Sequence, residues 1–299
     1  MYTEYSIYRK RGITMHINKN QVLTAFDHSK KPIVFDTYCK ENGVAKEVII
    51  FCHGYKGFKD WGAWHLVAEA FAEAGFFFLK FNFSHNGGTV KQPIDFPDLE
   101  AFAQNNYTKE LDDVHRVLDL ITTKSSFKNE VDVSKINLIG HSRGGGIVLI
   151  KAQEDPRVRR VVTWAGVSDY KARFQEDSAN FHDFKKHGMY YVQNARTKQQ
   201  MPHYWQFYTN FIENKKRLTI QRAAQELGKP MLIVHGDQDT TVLLQEAQKV
   251  HQWCSSSELF LAPRANHVFN AKHPYLEATM PKALAGVVAK TVLFLRQKF

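Results

Sequence analysis

An α/β architecture, a mostly parallel central sheet with helices on both faces, is what this sequence predicts. Three observations carry that expectation: short, almost unbroken apolar runs, segments of helical period between them, and a glycine-rich serine turn joining one run to a helix. The runs fall at residues 48–52, 76–81, 136–139, 158–164, 231–234 and 259–261. Each is brief and apolar nearly throughout, as strands covered on both faces must be. Shorter extended patterns precede them at residues 13–17 and 32–38.

The helices are legible from their stripes. Asp60 is positioned as an N-cap for a helix whose Trp64, Val67, Ala68 and Phe71 share one face, with Gly75 to stop it. Leu111, Val114, Leu118 and Ile121 form a second stripe, and a third helix follows the serine turn from about Ile147. Pro281 opens the last one, where Leu284, Val287, Val288 and Leu295 align.

Residues 169–229 break this rhythm. These 61 residues contain no buried-strand run, hold 11 of the 39 aromatics, and carry 11 Lys and Arg against 6 Asp and Glu. So aromatic a segment is not a disordered linker. It reads as a mostly helical cap, or lid, inserted into a single domain spanning residues 1–299 and packed over the end of the sheet. Most of its aromatics serve as the insertion's own core, while the cluster from Tyr204 to Phe211 is expected to line part of a pocket. Its net charge favours an anionic substituent on whatever binds there.

Composition excludes several classes. The 299 residues are 43% hydrophobic and 23% charged, which is ordinary globular usage. No stretch approaches the roughly 18 apolar residues of a membrane span, and residues 1–15 lack a signal-peptide core, so a cytoplasmic protein with no membrane partner is expected. Three cysteines, Cys39, Cys52 and Cys254, form no CxxC pair and are read as reduced, buried thiols. A formal charge of +10 favours anions, but no stacking-aromatic stripe, helix-turn-helix or Cys/His finger accompanies it, so no nucleic-acid partner is expected. Lys215, Lys216 and Arg217 read as a solvated helix face. None of the 14 histidines forms HExxH or another ligand cluster, so no metal and no cofactor are expected.

The chemistry concentrates in Gly140-His141-Ser142-Arg143-Gly144, followed by Gly145 and Gly146, between strand and helix. Such a turn strains the serine and pushes its hydroxyl out of the sheet. A phosphate loop would need the Lys-Ser/Thr ending that is missing here. A serine hydroxyl needs a base, and the base an anionic partner. Both follow at later strand ends: His235-Gly236-Asp237-Gln238-Asp239-Thr240-Thr241-Val242, then Asn266-His267-Val268-Phe269. Ser142, Asp239 and His267 thus lie at the carboxyl ends of three strands, where a doubly wound sheet keeps its site. Asp237 is the competing acid, with a turn-stabilising role as its plainer reading.

From about Val48 onward the chain resembles an α/β-hydrolase. The serine turn, the HGxxDxxV acid turn ending at Asp239 and Val242, and the late histidine match in order and spacing. Length, a short HGYKG loop and the insertion after residues 158–164 make it similar to dienelactone-hydrolase-like and cinnamoyl or feruloyl esterases. The resemblance implies a Ser142-His267-Asp239 triad acting through an acyl-enzyme on small to medium acyl or aryl esters. It also implies an oxyanion hole made by the backbone N–H groups of Tyr55 and Arg143. His53, His141 and His235 are then bracing residues. Peptidase, amidase or thioesterase activity on the same fold, and a non-catalytic binding protein that kept it, are the alternatives.

Overall fold

The computed structural model describes residues 5–10, 13–24, 30–123, 127 and 129–298. Of the amino-terminal stretch 1–15, residues 1–4 and 11–12 lie outside the described residues. Among the described residues eleven strands are present: β1 (Tyr5–Lys10), β2 (Ile13–Leu23), β3 (Ile33–Lys40), β4 (Lys46–Cys52), β5 (Phe77–Phe81), β6 (Val131–His141), β7 (Val158–Trp164), β8 (Met189–Gln193), β9 (Gln200–Tyr204), β10 (Met231–Gly236) and β11 (Ser257–Ala262). Nine of them form one sheet in the order β1-β2-β3-β5-β4-β6-β7-β10-β11. From β5 to β11 every neighbour is parallel, while β1, β2 and β3 add an antiparallel edge. The mostly parallel sheet expected from the apolar runs is therefore present.

Among the described residues ten α-helices accompany it: α1 (Trp64–Glu73), α2 (Leu99–Ala103), α3 (Tyr107–Thr123), α4 (Arg143–Glu154), α5 (Ala179–His187), α6 (Gln206–Glu213), α7 (Lys215–Leu218), α8 (Ile220–Gln225), α9 (Leu244–Trp253) and α10 (Lys282–Leu295). They divide between the two faces of the sheet. Residues of α3, α4, α8 and α9 pack with Ile50, Leu79, Leu138 and Ile233 in one core. Residues of α1 and α10 pack with Ile49, Phe51, Ile139 and Val234 in the other. Alternate residues of one strand supply opposite cores, which is why each strand reads as continuously apolar.

Two local expectations are corrected. The helix after Asp60 starts only at Trp64, with no side-chain cap from Ala63. Asp60 instead accepts from Lys59 (2.5 Å) and from Lys80. Both lysines also meet Asp36, at 2.8 and 2.9 Å, and all three of these side chains are buried while Asp60 is partly exposed. Two cations facing two carboxylates satisfy each other there, and removing one partner would strand a buried charge at a cost of about 3–5 kcal/mol. Helix α4 begins at Arg143 rather than near Ile147, so the glycines form its first turn instead of a loop. The insertion, expected to be mostly helical, carries α5 to α8 and also an antiparallel hairpin of β8 and β9. Lys215 and Lys216 are exposed as expected, while Arg217 pairs with Glu154 at 2.6 Å. Among the described residues no helix is long and apolar enough to cross a membrane, and Cys39, Cys52 and Cys254 are free and buried.

Candidate active site

Strand β6 delivers Ser142 to the carboxyl edge of the sheet. Its backbone has φ 55° and ψ −119°, a left-handed conformation that a non-glycine residue holds only under constraint. The constraint is visible on both sides. A Cβ on Gly140 would lie 2.2 Å from the Gly144 carbonyl oxygen, and one on Gly144 would lie 2.6 Å from the Cys52 and His53 carbonyls. Glycine at those positions lets the turn close and lets α4 approach β4. Hydrogen bonds then hold the serine backbone, its N–H donating to Trp164 O (2.9 Å) and its carbonyl accepting from Gly145 (2.9 Å) and Val167 (3.3 Å).

The turns after β10 and β11 bring up the other two residues. Asp239 Oδ2 lies 2.8 Å from His267 Nδ1, and its Oδ1 accepts from the N–H groups of Thr241 (2.8 Å) and Val242 (3.0 Å). Burial works to raise the Asp239 pKa, but the bond and charge of His267 and the two backbone donors outweigh it and hold the carboxyl below its ordinary value. With Nδ1 facing a carboxylate, Nδ1 carries the proton and Nε2 is left as an acceptor. Asp237 is exposed, and its Oδ1 accepts from Ala265 N at 3.3 Å. The turn role weighed for Asp237 matches this geometry.

Ser142 and His267 line one cavity of about 530 Å³ together with Gly54 and Tyr55. Trp61, Trp64, Lys56 and His273 contribute walls, and the turn of the β8–β9 hairpin closes one side with Asn194, Ala195 and Arg196. The cluster from Tyr204 to Phe211, expected to line a pocket, is not among the residues that line this one. Its rings pack on other insertion aromatics, for example Phe181 against Tyr208 at 4.8 Å and Phe184 against Trp205 at 4.8 Å, and Phe207 also meets Tyr107 of α3 at 5.0 Å. Apolar rings from α5 and α6 find their complementary surface in each other, so the insertion reaches the cavity through its polar turn instead.

The bracing histidines are all engaged. His53 Nδ1 donates to Gly54 O (2.9 Å) while its Nε2 accepts from Phe83 N (3.3 Å). His141 Nε2 donates to the carbonyl of His267 (2.9 Å), and His235 Nε2 to that of Val242 (2.8 Å). Among the described residues no three His, Cys, Asp or Glu side chains converge as metal ligands.

Two features were not legible beforehand. The Arg143 side chain folds into the protein and donates to Glu110 Oε1 at 3.3 Å, both groups being nearly buried. His203 of β9 lies 2.7 Å from the Tyr55 hydroxyl through Nε2, tying the insertion to the HGYKG loop. The only hint of the first was a glutamate among the inward residues of α3, beside Tyr107, Leu111 and Val114. The second joins residues 148 positions apart and left no local trace.

Burial lowers the pKa values of His53, His141 and His203 to about 4, 3 and 3. In the unfolded chain they return to roughly 6.5. Above that value their neutral burial is free of penalty. As pH falls through the window from 6.5 to the folded values, the unfolded state binds more protons and stability is lost, by up to about 1.4 kcal/mol per pH unit for each histidine. The urea midpoint is therefore expected to drop steeply between pH 7 and pH 5, and an unchanged midpoint over that range would show that these rings titrate normally in the fold.

With the strand order and the serine, aspartate and histidine turns in view, the comparison with known proteins is decisive. A family model described as the alpha/beta hydrolase fold matches residues 47–219, more than half of the chain. The chain belongs to the α/β-hydrolase family. Solved structures agree over nearly the whole length. Est1E from Butyrivibrio proteoclasticus superposes with a TM-score of 0.64 at 16% identity, covering 98% of this chain and 99% of its own. A structure titled ferulic acid bound to Est1E gives 0.62 at 18% identity, with 96% and 98% coverage. A putative dienelactone hydrolase from Klebsiella pneumoniae gives 0.61 at 13% identity, with 95% and 99% coverage. At such identities these likenesses speak for the hydrolase fold alone. No curated protein sequence matches.

Proposed function

We propose that this protein is a serine hydrolase of carboxylic esters, with Ser142 as nucleophile, His267 as general base and acid, and Asp239 as the residue that orients and stabilises His267. The observation that carries the reading is the 2.8 Å contact between His267 Nδ1 and Asp239, which leaves Nε2 as the acceptor in the cavity that Ser142 also lines. Ser142 Oγ attacks the ester carbonyl carbon as His267 Nε2 takes its proton. The negative charge on the tetrahedral oxygen is met by the N–H groups of Tyr55 and of Arg143, the latter at the positive end of α4. Collapse breaks the bond to the leaving oxygen, which receives the proton from His267, and water then repeats the sequence on the acyl-enzyme.

The walls speak for the substrate class. Trp61, Trp64 and Tyr55 offer aromatic surface, while Asn194 and Arg196 add a polar side. Small to medium acyl or aryl esters suit such a site, and the ferulic acid named with Est1E is an aromatic acid of that size. Labelling by a fluorophosphonate probe, lost in Ser142→Ala, tests the nucleophile. A panel of 4-nitrophenyl esters of increasing chain length, set beside aromatic esters, thioesters and aminoacyl amides, tests the bond. The highest kcat/KM is expected on acetyl to butyryl or aryl esters. Preference for the amides or thioesters would move the assignment to a peptidase or thioesterase, and no labelling with no turnover would leave a binding protein.

A further inference from the structure

Tyr55 and Arg143, whose backbone N–H groups are assigned above to the oxyanion hole, also meet through their side chains. The Arg143 guanidinium carbon lies 4.2 Å from the centroid of the Tyr55 ring. The rings of Tyr107 from α3 and Phe207 from α6 approach the same carbon at 5.3 Å each. With Glu110 at 3.3 Å, the cation is enclosed by three aromatic rings and one carboxylate, leaving 14% of its side chain exposed. Replacing a buried ion pair by apolar groups of similar volume is often neutral or stabilising, so stability alone is a poor reason for placing a cation here.

What Arg143 contacts supplies a better reason. The turn that carries Tyr55 is closed by a bond from Gly57 N–H to the Gly54 carbonyl (3.1 Å), with Lys56 at φ 52°. Among the described residues the Tyr55 N–H itself donates to no protein acceptor. Its ring is one handle by which the turn is held, with Arg143 against the ring, His203 at the hydroxyl 2.7 Å away, and the Phe102 ring more distant at 6.0 Å. Arg143 in turn is the first residue of α4, so its main chain is set by the serine turn, and its carbonyl accepts from Tyr170 at 2.9 Å. One side chain therefore links the two main-chain donors across the gap where an oxyanion would form. A separation off by a fraction of an ångström there weakens the stabilisation of the transition state more than the binding of the substrate.

We propose that Arg143 is a positioning residue whose guanidinium, anchored by Glu110, holds the Tyr55 ring and so sets the spacing of the two oxyanion donors. The proposal rests on the esterase reading. Because the backbone N–H of residue 143 survives any side-chain substitution except proline, variants there isolate the positioning from the donor.

The test uses Arg143→Met/Glu110→Gln, which removes the cation together with its buried partner, and Arg143→Lys, which keeps a charge for Glu110 but loses the planar contact with Tyr55. In the double variant kcat on 4-nitrophenyl butyrate is expected to fall about 10- to 100-fold, with KM changing by less than about threefold. The inhibition constant of a trifluoromethyl ketone, whose serine adduct carries the oxyanion, is expected to rise by the factor that kcat/KM falls. A merely structural role would lower the melting temperature without this proportionality. Wild-type kcat in the folded double variant, or a loss confined to KM with ketone affinity intact, overturns the proposal. Should the double variant not fold, Arg143→Lys decides, since kcat at the wild-type level there overturns it equally. Wild-type protein that neither turns over the ester nor binds the ketone removes the esterase reading and the positioning role with it, whereas an active wild type with unaffected variants removes the positioning role alone.

Discussion

Ser142→Ala is expected to lower kcat on short-chain esters by about 10⁴-fold or more while leaving the fold intact. In the proposed mechanism the hydroxyl is the attacking atom, and the two histidines beside it in the cavity, His53 and His141, are committed to backbone partners. The fold is expected to tolerate the change because the turn is held by the serine's backbone, through Trp164, Gly145 and Val167. Alanine pays the same left-handed penalty as serine at φ 55°. Steady-state kinetics and a circular-dichroism melt on the same sample check both halves. Residual activity within about tenfold of wild type would show that another group is the nucleophile.

The second large effect separates the two aspartates of the acid turn. Asp239→Asn is expected to cost about 10³- to 10⁴-fold in kcat, because an amide facing Nδ1 stabilises neither the imidazolium nor the tautomer that leaves Nε2 basic. Asp237→Asn is expected to cost far less, since its long contact to Ala265 only trims the turn. Reversal of that order in kcat, measured on one ester, would place the acid at Asp237. His267→Ala is expected to resemble Ser142→Ala, and combining the two should add little, since members of a triad act as a unit.

The parallel strands were readable because their two-sided burial leaves a continuous apolar signal that needs no partner to be recognised. Their ends were less so. β6 extends back to Val131 through residues that face solvent, and β10 runs on through His235 and Gly236, polar or small positions that pairing with β11 keeps in the ladder. Helices α2 and α9 leave little local signal, α2 for its five residues and α9 for its sparse buried face of Ala247 and Val250. The Asp60 assignment failed for a different reason. A local capping rule competed with two buried lysines, and the charges prevailed because an unpaired ammonium in a core costs several kcal/mol where a missing cap costs about one.

By itself, the sequence determined the order of the six parallel strands and of helices α1, α3, α4 and α10 along the chain, the serine turn and the two later turns that carry Asp239 and His267. Each of these depends on neighbours within a few residues, through periodicity, glycine sterics and strand-to-helix junctions. Only the tertiary structure decided how those turns converge, which of two nearby aspartates meets the histidine, and what surrounds the nucleophile. The pairing of Arg143 with Glu110, the contact between Tyr55 and His203, and the hairpin turn at Asn194 to Arg196 beside the cavity join residues 33 to 148 or so positions apart. Such contacts are chosen by which charged and aromatic groups must be buried together, and that choice is made across the whole packed core rather than within any segment of it.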